Sequence, residues 1–231
     1  MPRDLYHRSA VKPIDLLLKR AICHLPMTAA EHDTANNQTL DVSGNGYHFA
    51  FGDGSTENSF PTKLEGIGYS FNVAGEDIDY LKRDMFWNPN ADFTVCCHIN
   101  TTSGNTQYVW SHRDGTGDGV YQASVSGTNS WMVYAGETDV ENSTDFTNAT
   151  YFYVADVSGD LVQYVNGAST VGSTDISAET IDVDEPGIVI GRRNDDTTGR
   201  FIGQIYAFTV FDFVMSPAEI VLWDAWAKAR V

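Results

Sequence analysis

Glu137-Thr138-Asp139-Val140-Glu141 places three carboxylates at alternate positions. On a β-strand alternate side chains share a face, so Glu137, Asp139 and Glu141 would line one surface. Crowded carboxylates raise one another's pKa, so one can hold a proton while another stays ionised. Such a set can cleave a glycosidic bond with retention when two carboxyls lie roughly 5 Å apart. The surroundings argue against that chemistry. The run follows Gly136 and passes into Asn142-Ser143-Thr144-Asp145, a turn-like string, and Tyr151 comes soon after. With 31 acidic residues in 231, a chance match is easily met, and the chain is read as a non-enzyme.

Other catalytic and metal patterns fail sooner. The histidines His7, His24, His32, His48, His98 and His112 show no HExxH or ligand spacing. No G-x-S-x-G elbow occurs, and Gly115-Thr116-Gly117-Asp118-Gly119 lacks the lysine of a phosphate loop. Cys23, Cys96 and Cys97 form no CxxC, so a zinc site is unsupported and buried free thiols are expected. On a strand, adjacent Cys96 and Cys97 point to opposite faces and do not pair with each other. A sugar-binding face needs exposed aromatic rings beside amides and carboxylates. Tyr108, Trp110, Trp131 and Tyr134 are candidates, with Arg113 and Asn129 near them in sequence. Their alternation also suits rings packed between two sheets, and that second reading carries more weight.

The elements that must hold these residues are short strands. From Ala21 onward, alternating apolar runs are separated by Gly, Asn, Asp and Ser clusters every 8 to 12 residues. The runs 21–26, 47–51, 68–71, 93–99, 107–112, 119–125, 130–134, 151–157, 161–165, 187–190 and 203–211 read as strands. Ser158-Gly159-Asp160 reads as a hairpin turn. An all-β, two-sheet antiparallel sandwich follows, in a single domain over residues 21–231. At the C-terminus, Ser216-Pro217-Ala218-Glu219 carries the signature of a capping box with Pro at the first helical position. Ile220, Trp223, Trp226 and Ala227 continue it as an apolar stripe, so a short helix closes the chain.

Charge is unevenly placed. The whole chain is −17 at pH 7, yet residues 1–20 are net +3, leaving −20 on the rest. That acidic body disfavours non-specific nucleic-acid and anionic-membrane binding. No apolar run approaches a membrane span, and no secretory h-region follows Met1-Pro2-Arg3-Asp4. Residues 1–20 read as a basic arm or short amphipathic helix. Arg3, Arg8, Lys12, Lys19 and Arg20 are its partner-binding candidates. The segment either packs on its own domain or docks on an acidic neighbour, such as another copy of the chain.

Six short motifs then suggest a family. Asp41-Val42-Ser43-Gly44-Asn45-Gly46 resembles the D-x-S-G-N-G turn near the start of laminin G-like jelly rolls, and Gly68-Tyr69-Ser70-Phe71-Asn72 resembles their next strand. Phe93-Thr94-Val95 resembles the strand that opens the body of the fold. Leu161-Val162-Gln163-Tyr164-Val165-Asn166-Gly167 resembles the l-x-x-Y-V-N-G hairpin. Ile190-Gly191 with Phe201-Ile202-Gly203-Gln204-Ile205 matches i-G and F-x-G-x-I, and Ser216-Pro217-Ala218-Glu219-Ile220 matches the closing S-x-x-E-I. Together, in order over residues 21–222, they resemble the concanavalin A-like lectin and glucanase jelly rolls. The resemblance implies a mostly non-catalytic module that binds glycans or proteins, often with a structural calcium. E-x-D-x-E is also the signature of laminarinase-type glucanases that share this sandwich. Many members carry an acidic pair after F-x-G-x-I, where this chain has Tyr206-Ala207. Calcium would therefore rest on Asp41 and Asn45, and the alternative is an Asp that only caps its turn.

The functional expectation is a non-enzymatic subunit of a larger, homo-oligomeric assembly, such as a virion decoration, fibre or tail-associated protein with possible glycan binding. A free carbohydrate-binding lectin is the alternative, and a retaining β-glucanase using Glu137, Asp139 and Glu141 comes third.

Overall fold

A computed structural model describes residues 11–52, 60–64, 66–72, 79–101, 107–112, 121–126, 129–134, 138–143, 148–167, 169–178, 187–193 and 200–231. For 121–126, 129–134, 138–143 and 169–172 the description is of the backbone. The chain opens with helix α1 (Pro13–Leu18), then β1 (Cys23–Leu25), β2 (His32–Asp33), β3 (Gln38–Thr39), β4 (Phe49–Phe51), β5 (Thr62–Lys63) and β6 (Tyr69–Phe71). It continues with β7 (Leu81–Arg83), β8 (Phe93–Asn100), β9 (Gln107–His112), β10 (Tyr121–Ser126), β11 (Asn129–Tyr134) and β12 (Thr138–Ser143). The last elements are β13 (Ala149–Ala155), β14 (Asp160–Val165), β15 (Ser169–Asp175), β16 (Ile188–Ile190), β17 (Gly203–Phe211) and helix α2 (Pro217–Lys228).

These strands form two antiparallel sheets, as the alternating runs required. One runs β15-β14-β13-β8-β17-β6-β5, with β1 also on β17. The other runs β12-β11-β10-β9-β16-β7-β4-β3-β2. Between them lies a core that includes Phe49, Phe71, Phe93, Trp110, Tyr153 and Phe208. Period 2 on β8 sends Phe93, Val95, Cys97 and Ile99 into this core.

A second core lies on the outer face of the first sheet. Cys96, Phe152, Val154, Ala207 and Phe211 meet Leu17 of α1 and Ile220, Trp223 and Ala227 of α2 there. Strands β8 and β13 are consequently buried on both faces. Adjacent Cys96 and Cys97 do face opposite ways, one into each core, and all three thiols are free. Burial raises the pKa of Cys23, Cys96 and Cys97, which keeps them protonated and inert.

Helix α2 starts where the sequence places it. Ser216 and Glu219 form the reciprocal capping box, and Pro217 sits at the first turn. Trp223 is fully buried, packs edge-on against Phe152 at 5.3 Å, and donates its indole N–H to Thr209 Oγ1 at 3.2 Å.

Helix α1 packs on its own domain rather than standing off as an arm. Leu17 and Ala21 are buried in the second core. Arg20 pairs with Glu219 at the start of α2 and lies 3.9 Å over the Phe213 ring. The boundary expected at residue 20 therefore runs through a packed contact.

The glycines of the family motifs have a conformational reason. Asn166 and Gly167 both take positive φ, 51° and 83°, at the hairpin after β14. Gly203 has φ 152°, and a Cβ there would sit 2.3 Å from the Asn100 carbonyl oxygen.

Candidate functional site

The turn after β3 organises one end of the sandwich. Asp41 Oδ1 accepts the backbone N–H of His24 at 2.8 Å and of Ser43 at 2.9 Å. Its Oδ2 accepts the Ser43 hydroxyl at 2.7 Å and the Tyr47 N–H at 3.0 Å. These four bonds use the carboxylate's four lone-pair sites. Asn45 turns its Nδ2 to the Ile22 carbonyl at 2.9 Å. Asp41 and Asn45 therefore do not fit a calcium site. Ca²⁺ needs six to eight oxygens, and no cluster of three metal-ligating side chains occurs among the described residues. Asp41 ties β1 to the entry of β4.

That tie positions Tyr47, which stacks on Phe86 with centroids 4.7 Å apart. Phe86 meets Trp87 edge-on at 4.8 Å, and Trp87 lies 5.9 Å from Phe93 in the core. A ladder of rings thus runs from the core to the surface. Around it lies a pocket of about 400 Å³, within the usual range for small-ligand sites. Its lining adds Asn45, Asn88, Asp92 and Asp212 to these rings. The carboxylates arrive from two strands. Asp92 precedes β8, Asp212 follows β17, and the pairing of Thr94 with Phe211 brings both to the same end. Both Asp residues and both Asn residues are exposed. Trp87 is only 8% exposed, and its indole N–H has no acceptor among the described residues. Aromatic faces beside amides and carboxylates form the combination that binds sugar rings: apolar C–H faces on the rings, hydroxyls on the polar groups.

Two other concavities lack that combination. In one, of about 390 Å³ between α1 and α2, the Trp226 ring is taken by Arg230 at 4.5 Å and His24 at 5.1 Å. The other, about 680 Å³ beside the start of α2, has Tyr164 as its aromatic residue.

The aromatic candidates from the sequence fare differently. Trp110 is fully buried, edge-on to Tyr153 at 6.0 Å, and is a core residue. Tyr108 is 8% exposed, with the Arg193 guanidinium 5.5 Å from its ring centroid. Neither presents an open ring face: Trp110 lies in the core between the sheets, and Tyr108 is buried with the Arg193 guanidinium near its ring. Trp131 and Tyr134 are on β11, but their side chains lie outside the described residues. The carboxylate run also differs from expectation. Residues 138–143 form strand β12 at the sheet edge, so Asn142 and Ser143, expected to begin a turn-like string, still belong to the strand, while Thr144 and Asp145 lie outside the described residues. Asp139 pairs with Val133 and Glu141 with Trp131. Glu137 and the side chains of Asp139 and Glu141 lie outside the described residues. Of the basic candidates, Arg20 is engaged by Glu219, while Lys12 and Lys19 are exposed. Arg3 and Arg8 lie outside the described residues.

The pocket's rings were missed at the sequence level. Phe86-Trp87-Asn88-Pro89-Asn90 sits between strands, where no period marks it, yet its aromatic-amide composition was a signal.

Comparison with known proteins bears on this geometry. A model of the concanavalin A-like lectin/glucanases superfamily, of laminin G type, matches residues 73–221. No curated protein matches the chain in sequence. Among solved structures, the chain is similar to the binding domain of botulinum neurotoxin serotype D, with TM-score 0.67 and 16% identity over 90% of this chain and 52% of that one. The serotype G binding domain gives TM-score 0.66 and 14% identity over 89% and 51%. A serotype D ligand-binding domain in complex with N-acetylneuraminic acid gives TM-score 0.63 and 16% identity over 90% and 51%. The chain thus spans about half the length of these domains, and the likeness is one of fold. The motif order, the two-sheet sandwich and a family match over more than half of its length agree: the chain belongs to the concanavalin A-like lectin/glucanase superfamily.

Proposed function

We propose that this chain is a non-catalytic binding module that takes a saccharide in the pocket formed by Tyr47, Phe86 and Trp87. The carrying observation is the placement of a rigid ring ladder beside Asn45, Asn88, Asp92 and Asp212 at an open end of the sandwich. Family membership and the sialic-acid complex of a structurally similar binding domain support it. A glycan panel read by calorimetry tests it. Asn88→Ala removes an exposed side chain whose Oδ1 accepts the nearby Asn90 N–H, its one side-chain bond among the described residues, so folding should survive. It is expected to weaken the best glycan about fivefold, the equivalent of one hydrogen bond. An unbound panel at millimolar concentration, or unchanged affinity in Asn88→Ala and Phe86→Ala alike, overturns the reading.

The module is further proposed to sit on a larger assembly, such as a virus particle, held there through α1. The favouring observation is that Val11 and Leu16, 58% and 55% exposed, flank the exposed Lys12 and Lys19. An apolar and cationic helix face suits an acidic partner subunit. Deleting residues 1–20 is a poor test, because Leu17 belongs to the second core and Arg20 pairs with Glu219. The variant Leu16→Glu with Lys19→Glu keeps that core. It is expected to abolish assembly by light scattering while the melting temperature holds, and assembly that survives sinks the idea.

A further inference from the structure

The charge of the pocket narrows what can occupy it. Among the described residues that line it, the ionisable side chains apart from Tyr47 are Asp92 and Asp212, and none is Lys, Arg or His. The neighbouring cation is Arg83, whose guanidinium lies 5.4 Å from the Tyr47 ring centroid and donates to the His48 carbonyl at 3.2 Å. Asp92 Oδ1 accepts the Val157 N–H at 3.1 Å, which fixes the carboxylate at the rim. The whole chain is −17, so the long-range field has the same sign. The exposed Asn88 amide adds a hydrogen-bonding partner that sugar hydroxyls can use as donors and acceptors, while a bare alkylammonium can only donate.

We infer that the pocket selects a sugar carrying a protonated amine, a 2-amino-2-deoxy hexose unit, over neutral and acidic sugars. The inference rests on the saccharide reading above and adds the charge of the ligand. The ammonium sits between the Asp92 and Asp212 carboxylates, the ring lies along Tyr47 and Phe86, and hydroxyls meet the Asn88 amide. An acidic sugar would place its carboxylate against both Asp residues, while the nearby Arg83 is held by the His48 carbonyl beside the Tyr47 ring.

Calorimetry with four probes tests this at low salt: a glucosamine tetramer, cellotetraose, sialyllactose and trilysine. The glucosamine tetramer is expected to bind at least tenfold tighter than cellotetraose, with the advantage shrinking as salt is raised. Asp92→Asn and Asp212→Asn each should cut that advantage severalfold while leaving cellotetraose affinity in place. Asp92→Asn keeps an Oδ1 acceptor for Val157. Asp175→Asn, at an exposed acid away from the pocket, should change nothing. If Asp175→Asn has the same effect, the attraction is non-specific and the inference falls. If cellotetraose or sialyllactose binds as tightly, the amine inference falls while the saccharide reading stands. If trilysine matches the glucosamine tetramer, the sugar part is overturned. If no sugar binds, both readings fall together.

Discussion

Asp41→Ala is expected to lower the free energy of unfolding by about 3–5 kcal/mol, measured by denaturant titration. Three backbone N–H groups, those of His24, Ser43 and Tyr47, lose their acceptor together. An orphaned donor costs about 1–3 kcal/mol when buried, and less where water reaches it. The His24 N–H is buried, while those of Ser43 and Tyr47 are half-buried, which sets the range. Asp41→Asn keeps one acceptor oxygen and should lose about half as much. Because Tyr47 hangs on the same carboxylate, glycan affinity should fall in both variants. Chelation of divalent cations should leave the wild-type transition unmoved. A loss below about 1 kcal/mol, or a chelator-sensitive transition, would overturn the hydrogen-bond account of this turn.

Acid should destabilise the fold through His24. Its imidazole is buried between β17 and α2, with Nδ1 bonded to Thr209 Oγ1 at 2.9 Å and the ring against Trp226. Burial first, and the positive charge of Arg230 second, push its pKa down from 6.5 to about 3, against the opposing pull of Asp41. In the unfolded chain the ring titrates near its ordinary value. Between pH 6.5 and 3 the unfolded state therefore binds a proton that the folded state refuses, and stability falls as pH falls. The slope is about 1.4 kcal/mol per pH unit, and the full loss is at most about 5 kcal/mol. His32 and His98 are shifted in the same direction by burial and add to it. Urea midpoints from pH 7 to 3.5 test this, with His24→Gln as the comparison. A flatter profile for His24→Gln is expected, and parallel profiles would fail the prediction.

How much was legible follows the periodicity of each segment. Strands with alternating apolar residues, such as β8, β9, β14 and β17, fall within a residue of their expected bounds. Strands β12 and β15 were not expected. Thr138–Ser143 and Ser169–Asp175 are polar runs without an apolar face, and each sits at the edge of its sheet with one partner. Their extended form is set by the neighbour they pair with, which local composition does not record. For the site, Asp41 and Asn45 were singled out from their turn motif, and of the two roles read there, calcium ligand or turn cap, the carboxylate of Asp41 makes the bonds of the cap. Trp110 was a sugar candidate and is core.

Local rules were enough for this protein's all-β class, its capped C-terminal helix, and its opposed Cys96 and Cys97. Each depends on a residue and its near neighbours. The second core under the two helices, and the pocket that collects Tyr47, Phe86, Asp92 and Asp212, came from tertiary structure alone. Tyr47, the segment 86–92 and Asp212 are far apart in the chain. They meet because β17 pairs with β8 in one register and because the second sheet stacks its rings against that end. Long-range pairing and packing choose that register, and no short window of sequence contains it.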